Sequence, residues 1–314
     1  MKRFRIAVAL AVLTMGLGLG LGLAASAQSG DCRLGFYRNP TVQCVDDILG
    51  ILGRSKEVSS ALGPYVAFLG EVFRTYPDIR KHVLSSPIAA DVTPIVVAAL
   101  ISVGRRDEAA ALAPPDGAEK IRRADKPSSA PLDAVRASDN PGVNDVLISA
   151  YAASGNIAHI KHILENFETA DKEMIHDALR MGLMNGKFGS GPIKLGREGV
   201  ARDWMTPMSM AACARYECKV NPKKMMRMMT LASAFWALQS LSERDENIKK
   251  TFTTFLSDAR MKPLVLAEST AFGNYMTLLL AYAGIQDKPE INETLARFEQ
   301  LEPAEEVARP LQMK

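Results

Sequence analysis

The chain has 314 residues, and its Lys and Arg exceed its Asp and Glu by only 38 to 35. Residues 1–27 hold three of those basic side chains and no acidic one, so the remainder carries 35 of each sign and is formally neutral. Global charge therefore excludes an electrostatic argument for nucleic acid or an anionic lipid surface as partner, while the length suffices for one large or two modest cores.

Met1–Ala27 has the three parts of a secretory signal peptide. Lys2, Arg3 and Arg5 form the positive start, Ile6–Leu23 is apolar, and Ala25-Ser26-Ala27 supplies the small-x-small cleavage site. The apolar run approaches membrane-spanning length, but its Gly-rich second half and the small residues after it favour cleavage. The expectation is a mature chain beginning at Gln28, in the periplasm or secreted, with no stable membrane span. Asp31 beside Cys32 does not fit the small, apolar box that lipidation needs.

Residues 28–39 read as irregular. Pro40 opens a helix that Gly53 closes, Pro64 opens another up to Tyr76, and Pro77 starts a short third one. In the second of these, Val66, Leu69, Val72, Phe73 and Tyr76 form the apolar side. Asp91–Val103 and Asp107–Ala113 read as a helical pair. Residues 114–140 are charged and hold several prolines, which predicts an exposed linker with a short helix at Ala118–Ala124. The expected division is a helical domain over 28–113, this linker, and a helical-hairpin domain over 141–314.

Asn144–Leu183 predicts three helices, with a turn at Ser154-Gly155-Asn156 and a break at Glu168-Thr169-Ala170. In the second helix Ile157, Ile160, Leu164 and Phe167 recur at steps of three and four and share a face. Gly155 can take the positive φ that stops a helix, and Asn156 can cap the next. Residues 185–204, with five glycines, read as a long irregular loop. A helix up to about Tyr216, one opened by Pro222, and further helices at Asp245–Ser257, Pro263–Ala283 and Glu290–Leu301 complete the chain. No segment shows the alternation of a strand, so the expected fold is all-α, an irregular, α-solenoid-like stack of helical hairpins.

The stretch LISAYAASGNIAHIKHIL resembles the helix-turn-helix consensus of tetratricopeptide and pentatricopeptide repeats: a small–aromatic–small run, a Gly turn, then an amphipathic helix. Ala98–Ala113 echoes it, with Gly104 matching Gly155 and Ala109 matching Ile160. Leu278–Leu295 echoes it again, with Tyr282 matching Tyr151 and Gln286 in place of the glycine. The spacing is uneven, so there is no fixed period. The resemblance implies an irregular stack of paired helices, and no ligand-binding residues are carried over from it.

Four cysteines, Cys32, Cys44, Cys213 and Cys218, are candidates for disulfides in an oxidising compartment, with three pairings open and the local one simplest. In a continuous helix Cys213 and Cys218 would lie about 8–9 Å apart, too far to bond, so a bond there requires the helix to end between them. Their C-x4-C spacing differs from the C-x2-C redox motif.

His159 and His162 stand within reach of a shared metal, but each lies two residues from a stripe position. Two residues turn the helix by about 200°, which predicts that both histidines face solvent. Met205, Met208, Met210, Met225, Met226, Met228 and Met229 are soft thioethers able to hold Cu(I), and equally ordinary core residues. Residues 185–204 contain neither a Walker loop nor G-x-G-x-x-G, and Lys187 stands where the first glycine of a nucleophile elbow around Ser190 belongs. Lys219, Lys223, Lys224 and Arg227 make a basic cluster that is a candidate interaction surface. The sequence therefore predicts an exported, non-catalytic interaction or scaffolding module, its partner another envelope protein, with no cofactor. The alternatives are a copper-binding protein using the methionines and an enzyme whose site has no recognised motif.

Overall fold

A computed structural model describes residues 32–54, 62–123, 135, 139–188, 193–195, 200–202, 216 and 222–268. Within them the chain is mostly helical, as the periodicities predict. It divides into two compact units, 1–166 and 167–314.

The first unit opens with a short 3-10 segment, Cys32–Arg38, broken by non-helical backbone at Leu34 and Gly35. A disulfide joins Cys32 to Cys44 on α1, Val42–Arg54. This is the local pairing, and it constrains the unfolded chain by about 3 kcal/mol on a loop-entropy model. Then follow α2 (Leu62–Thr75), α3 (Pro77–Ser85), α4 (Thr93–Ser102), α5 (Arg106–Leu112) and α6 (Pro115–Arg123). α4 is apolar on every side, and α2 packs along it. Leu69, Val72 and Phe73 of α2 are fully buried in the same core as Phe36, Val45, Val96 and Leu100. Each large apolar side chain buried there contributes roughly 1.5–3 kcal/mol. Arg80 is buried too. Its guanidinium donates to the Phe73 carbonyl at 2.6 Å and pairs with Glu108 at 3.2 Å, so it holds α3 against the end of α2 and the start of α5.

α7 (Gly142–Ser154) packs along α2, with Ala67 and Ala150 meeting in a small cluster that allows close approach. The chain then turns at Gly155, whose φ of 69° is left-handed, and its N–H bonds the Tyr151 carbonyl at 2.7 Å. Asn156 caps the next helix, α8 (Ala158–Glu168), through its side-chain oxygen on the Ala158 N–H. Gly104, between α4 and α5, takes the same left-handed turn at φ 77°. The two turns that the sequence matched therefore share a left-handed glycine, but not their hydrogen bonds: the Gly104 N–H bonds the Ile101 carbonyl and the Arg105 N–H that of Leu100. Of the expected linker, 114–140, Pro115–Arg123 is helical with Ala118 buried. Residues 124–134 and 136–138 lie outside the described residues.

In the second unit α9 (Lys172–Phe188) packs against α10 (Pro222–Ser242), and α10 against α11 (Glu246–Leu256). Gly182 makes the first contact possible: a Cβ there would come within 2.8 Å of Phe235 Cδ1 and 3.1 Å of the Ala232 carbonyl. Asp171 and Asp245 cap α9 and α11 through backbone N–H groups of Met174, Asn247 and Ile248. A last described helix, α12, spans 261–268. The strands among the described residues form a two-stranded antiparallel ribbon, β1 (Ile193–Leu195) with β2 (Val200–Arg202), in what the sequence reads as an irregular loop. Three residues are too few to show a period of two. No helix among the described residues is long and apolar enough to cross a membrane. Residues 1–31, with the expected signal peptide, and the expected helix 290–301 lie outside them.

Candidate functional site

The chain contains four histidines, and each faces a carboxylate. His82 Nε2 meets both oxygens of Asp46 at 3.1 and 3.2 Å, joining α3 to α1. His162 Nδ1 lies 2.9 Å from Glu165 on the same helix. His159 Nε2 lies 3.7 Å from Glu71 Oε1, and His176 Nδ1 lies 2.8 Å from Glu268 Oε1.

The helix face expected for α8 is partly corrected here. Ile160, Leu164 and Phe167 are buried as predicted, but so are Ile163 and His159, while Ile157 is only half-buried. The buried stripe is rotated toward residues 159 and 163, because Glu71 on α2 offers the imidazole a polar partner inside the core. His159 and His162 do not converge on one point: each is directed to its own carboxylate. Among the described residues no three His, Cys, Asp or Glu side chains are grouped to hold a metal ion.

A connected polar cluster lies in the second unit. Glu268, on α12, is buried. One of its oxygens meets His176 at 2.8 Å and Arg180 at 3.1 Å, and the other accepts from Arg180 Nε at 3.2 Å. His176 and Arg180 are one turn apart on α9, so both reach the same carboxylate. Asp177, between them, accepts the Tyr216 hydroxyl proton at 2.6 Å and lies 3.9 Å from Arg180. A carboxylate on Nδ1 favours a proton on that nitrogen and fixes the orientation of the ring. No sequence motif announced this cluster. Its two halves lie about 90 residues apart, and the apolar stripes of their helices say nothing of it.

In comparisons with known proteins, no family model, no curated protein and no solved structure matches this chain.

The remaining sequence candidates fall as follows. Cys32 and Cys44 are joined. Cys213, Cys218, Lys219, Met205, Met208 and Met210 lie outside the described residues. Met225, Met228 and Met229 are buried in the core around α10, where their thioethers are packing groups. Lys223 and Lys224 are exposed in the first turn of α10, which has no acidic residue to offset them. Arg227 turns inward enough to donate to Thr169 Oγ1 at 2.6 Å.

One further titratable group is displaced. Burial pushes the Asp145 carboxyl up to about 7, although it stands in the first turn of α7 where the helix dipole favours the charged form.

Proposed function

We propose that the mature chain is an exported, non-catalytic module of stacked helical hairpins that binds another protein of the bacterial envelope. The observation that carries this reading is a left-handed glycine between consecutive helices in both places where the sequence echoes a hairpin, Gly104 between α4 and α5 and Gly155 between α7 and α8. Hairpin units stacked side by side present extended faces suited to protein partners. A second support is that the charged side chains gathered by the fold bond to one another across helices, as Glu268 does with His176 and Arg180. The Cys32–Cys44 disulfide supports export, since such bonds persist in oxidising compartments.

The surface this reading favours for an acidic partner is the basic start of α10, Lys223 and Lys224, with Lys219 ahead of it. Arg227 is partly withdrawn from that surface by its bond to Thr169. Cell fractionation and intact mass test the export half: a soluble envelope form starting at Gln28 supports it, and a membrane-held form retaining residues 1–27 overturns it. Crosslinking in the envelope tests the other half. A defined adduct that disappears with Lys223→Glu/Lys224→Glu supports the reading, and adducts indifferent to charge reversal refute the assignment of the surface.

A further inference from the structure

α10 is a 21-residue helix with no acidic side chain along it, and its first two turns carry Lys223, Lys224 and Arg227. Arg227 stands four residues after one lysine and three after the other, so the three cations share a face. Like charges at those spacings repel, and no carboxylate on the helix offsets them. The two lysines are exposed. Arg227 is half-buried and donates through Nη2 to Thr169 Oγ1, at 2.6 Å, in the corner after α8. A guanidinium gains roughly twice as much from a carboxylate as from a neutral oxygen. Glu168 precedes this threonine and Asp171 follows two residues later, yet the arginine bonds the hydroxyl between them. Arg227 is thus a charge held by an uncharged acceptor.

The corner has other ties. Arg260 donates to the carbonyls of Glu168 and Ala170, on either side of Thr169, both at 2.6 Å. Asp171 caps α9 by accepting the Met174 N–H at 2.8 Å. These backbone groups keep their partners whether or not Arg227 stays on the threonine.

We propose that Arg227 is a transferable contact for an acidic polypeptide: with the surface empty it rests on Thr169, and when carboxylates of the partner lie along Lys223 and Lys224 it leaves the hydroxyl and completes the basic face. A carboxylate brought to the two lysines lies within a turn of Arg227 and offers its fork two oxygens in place of one hydroxyl. The exchange gives up one neutral hydrogen bond and forms a charge-assisted pair. Thr169 therefore competes with the partner for Arg227 and lowers the partner's affinity by the strength of its own bond. This inference rests on the reading of the basic start of α10 as the protein-binding surface, and it adds how that surface is tuned.

The test is binding of a fluorescent oligoglutamate peptide to the chain from Gln28 onward, at low ionic strength, where exposed charges are least screened. Lys223→Glu/Lys224→Glu should weaken binding. Thr169→Val, which keeps the shape and removes the acceptor, should tighten it by about two- to tenfold, the worth of one net hydrogen bond. Thr169→Ala should repeat the gain. Arg227→Gln should weaken binding by about threefold, and on that background Thr169→Val should gain nothing. A peptide that binds wild type and Thr169→Val alike overturns the transfer and leaves the lysine surface standing. A gain that survives Arg227→Gln overturns the transfer too, because the arginine is then not its route. No binding, or binding indifferent to charge reversal of the lysines, overturns the surface and the transfer together.

Discussion

His159 Nε2 lies 3.7 Å from Glu71 Oε1 across the contact of α8 with α2, and both side chains are shut off from solvent, at 1% and 0% exposure. Arg74 holds the other Glu71 oxygen at 2.6 Å from the same helix. A carboxylate in a core needs its polar neighbours, because removing one leaves charge without compensation. His159→Ala should therefore cost about 2–4 kcal/mol, from the cavity and the lost polar neighbour together. His162→Ala, which breaks only a partly exposed pair within one helix, should stay within about 0.5 kcal/mol. Denaturant midpoints at unchanged slope check both, and equal effects from the two histidines would contradict the burial of the first.

The two hairpin glycines offer a contrast within one protein. Both have positive φ, so alanine is strained at either. Nothing lies within 4 Å of a Cβ at Gly104, whereas Tyr37 occupies that space at Gly155. Gly104→Ala should cost about 1–2 kcal/mol, the backbone part alone. Gly155→Ala should cost more, and the excess should shrink in a Tyr37→Ala background. A double-mutant cycle measures that coupling, and a cycle that closes to zero would show that the ring yields without cost.

Asp145 predicts a pH dependence with a definite sign. Its folded value, about 7, lies above that of an unfolded aspartate, so between roughly pH 4 and 7 the folded state binds a proton that the unfolded state does not. The stabilisation from this group is complete below about pH 4 and is lost as pH rises through 7, at up to about 1.4 kcal/mol per unit. Asp145→Asn should remove this slope. Urea unfolding of both proteins at a series of pH values gives the difference, and parallel curves would mean that the carboxyl titrates normally.

Glu268 is the third point of leverage. Glu268→Gln keeps the shape and removes the charge that His176 and Arg180 share, and it should destabilise the second unit by about 2–4 kcal/mol. Lys262→Ala, exposed on the same helix, should change little. Exchange of amides in 261–268 shows whether the loss is local to α12, and a Glu268→Gln helix as protected as the wild type would show that packing alone seats it.

The helices were legible because each needs only its own stripe and its own punctuation. Pro77, Gly155 and Pro222 stand at observed boundaries, and Ile160 is buried as its spacing predicts. What the sequence hid is every pairing between distant charged residues. Glu71 sits in α2 among Leu69, Val72 and Phe73, and nothing in that run marks a carboxylate that faces inward. Its reason for doing so, His159, is 88 positions later. The same applies to Glu268 and Arg180. The stripe on α8 differs from the sequence expectation for that reason: with histidine counted as polar, Ile157 completes the apparent face, and only the position of α2 shows that residue 159 belongs in the core.

Arg260 donates to the carbonyls of Glu168 and Ala170, both at 2.6 Å, and so finishes the end of α8 from some 90 positions downstream. A chain made from its N-terminus reaches this corner long before the arginine that closes it exists. Until then the carbonyls of Glu168 and Ala170 lack that donor, and the corner after α8 stays open. Any fragment that stops short of residue 260 inherits that open corner, however complete its own helices are. Synthesis order thus leaves the first unit whole while the second still waits for its own late segment.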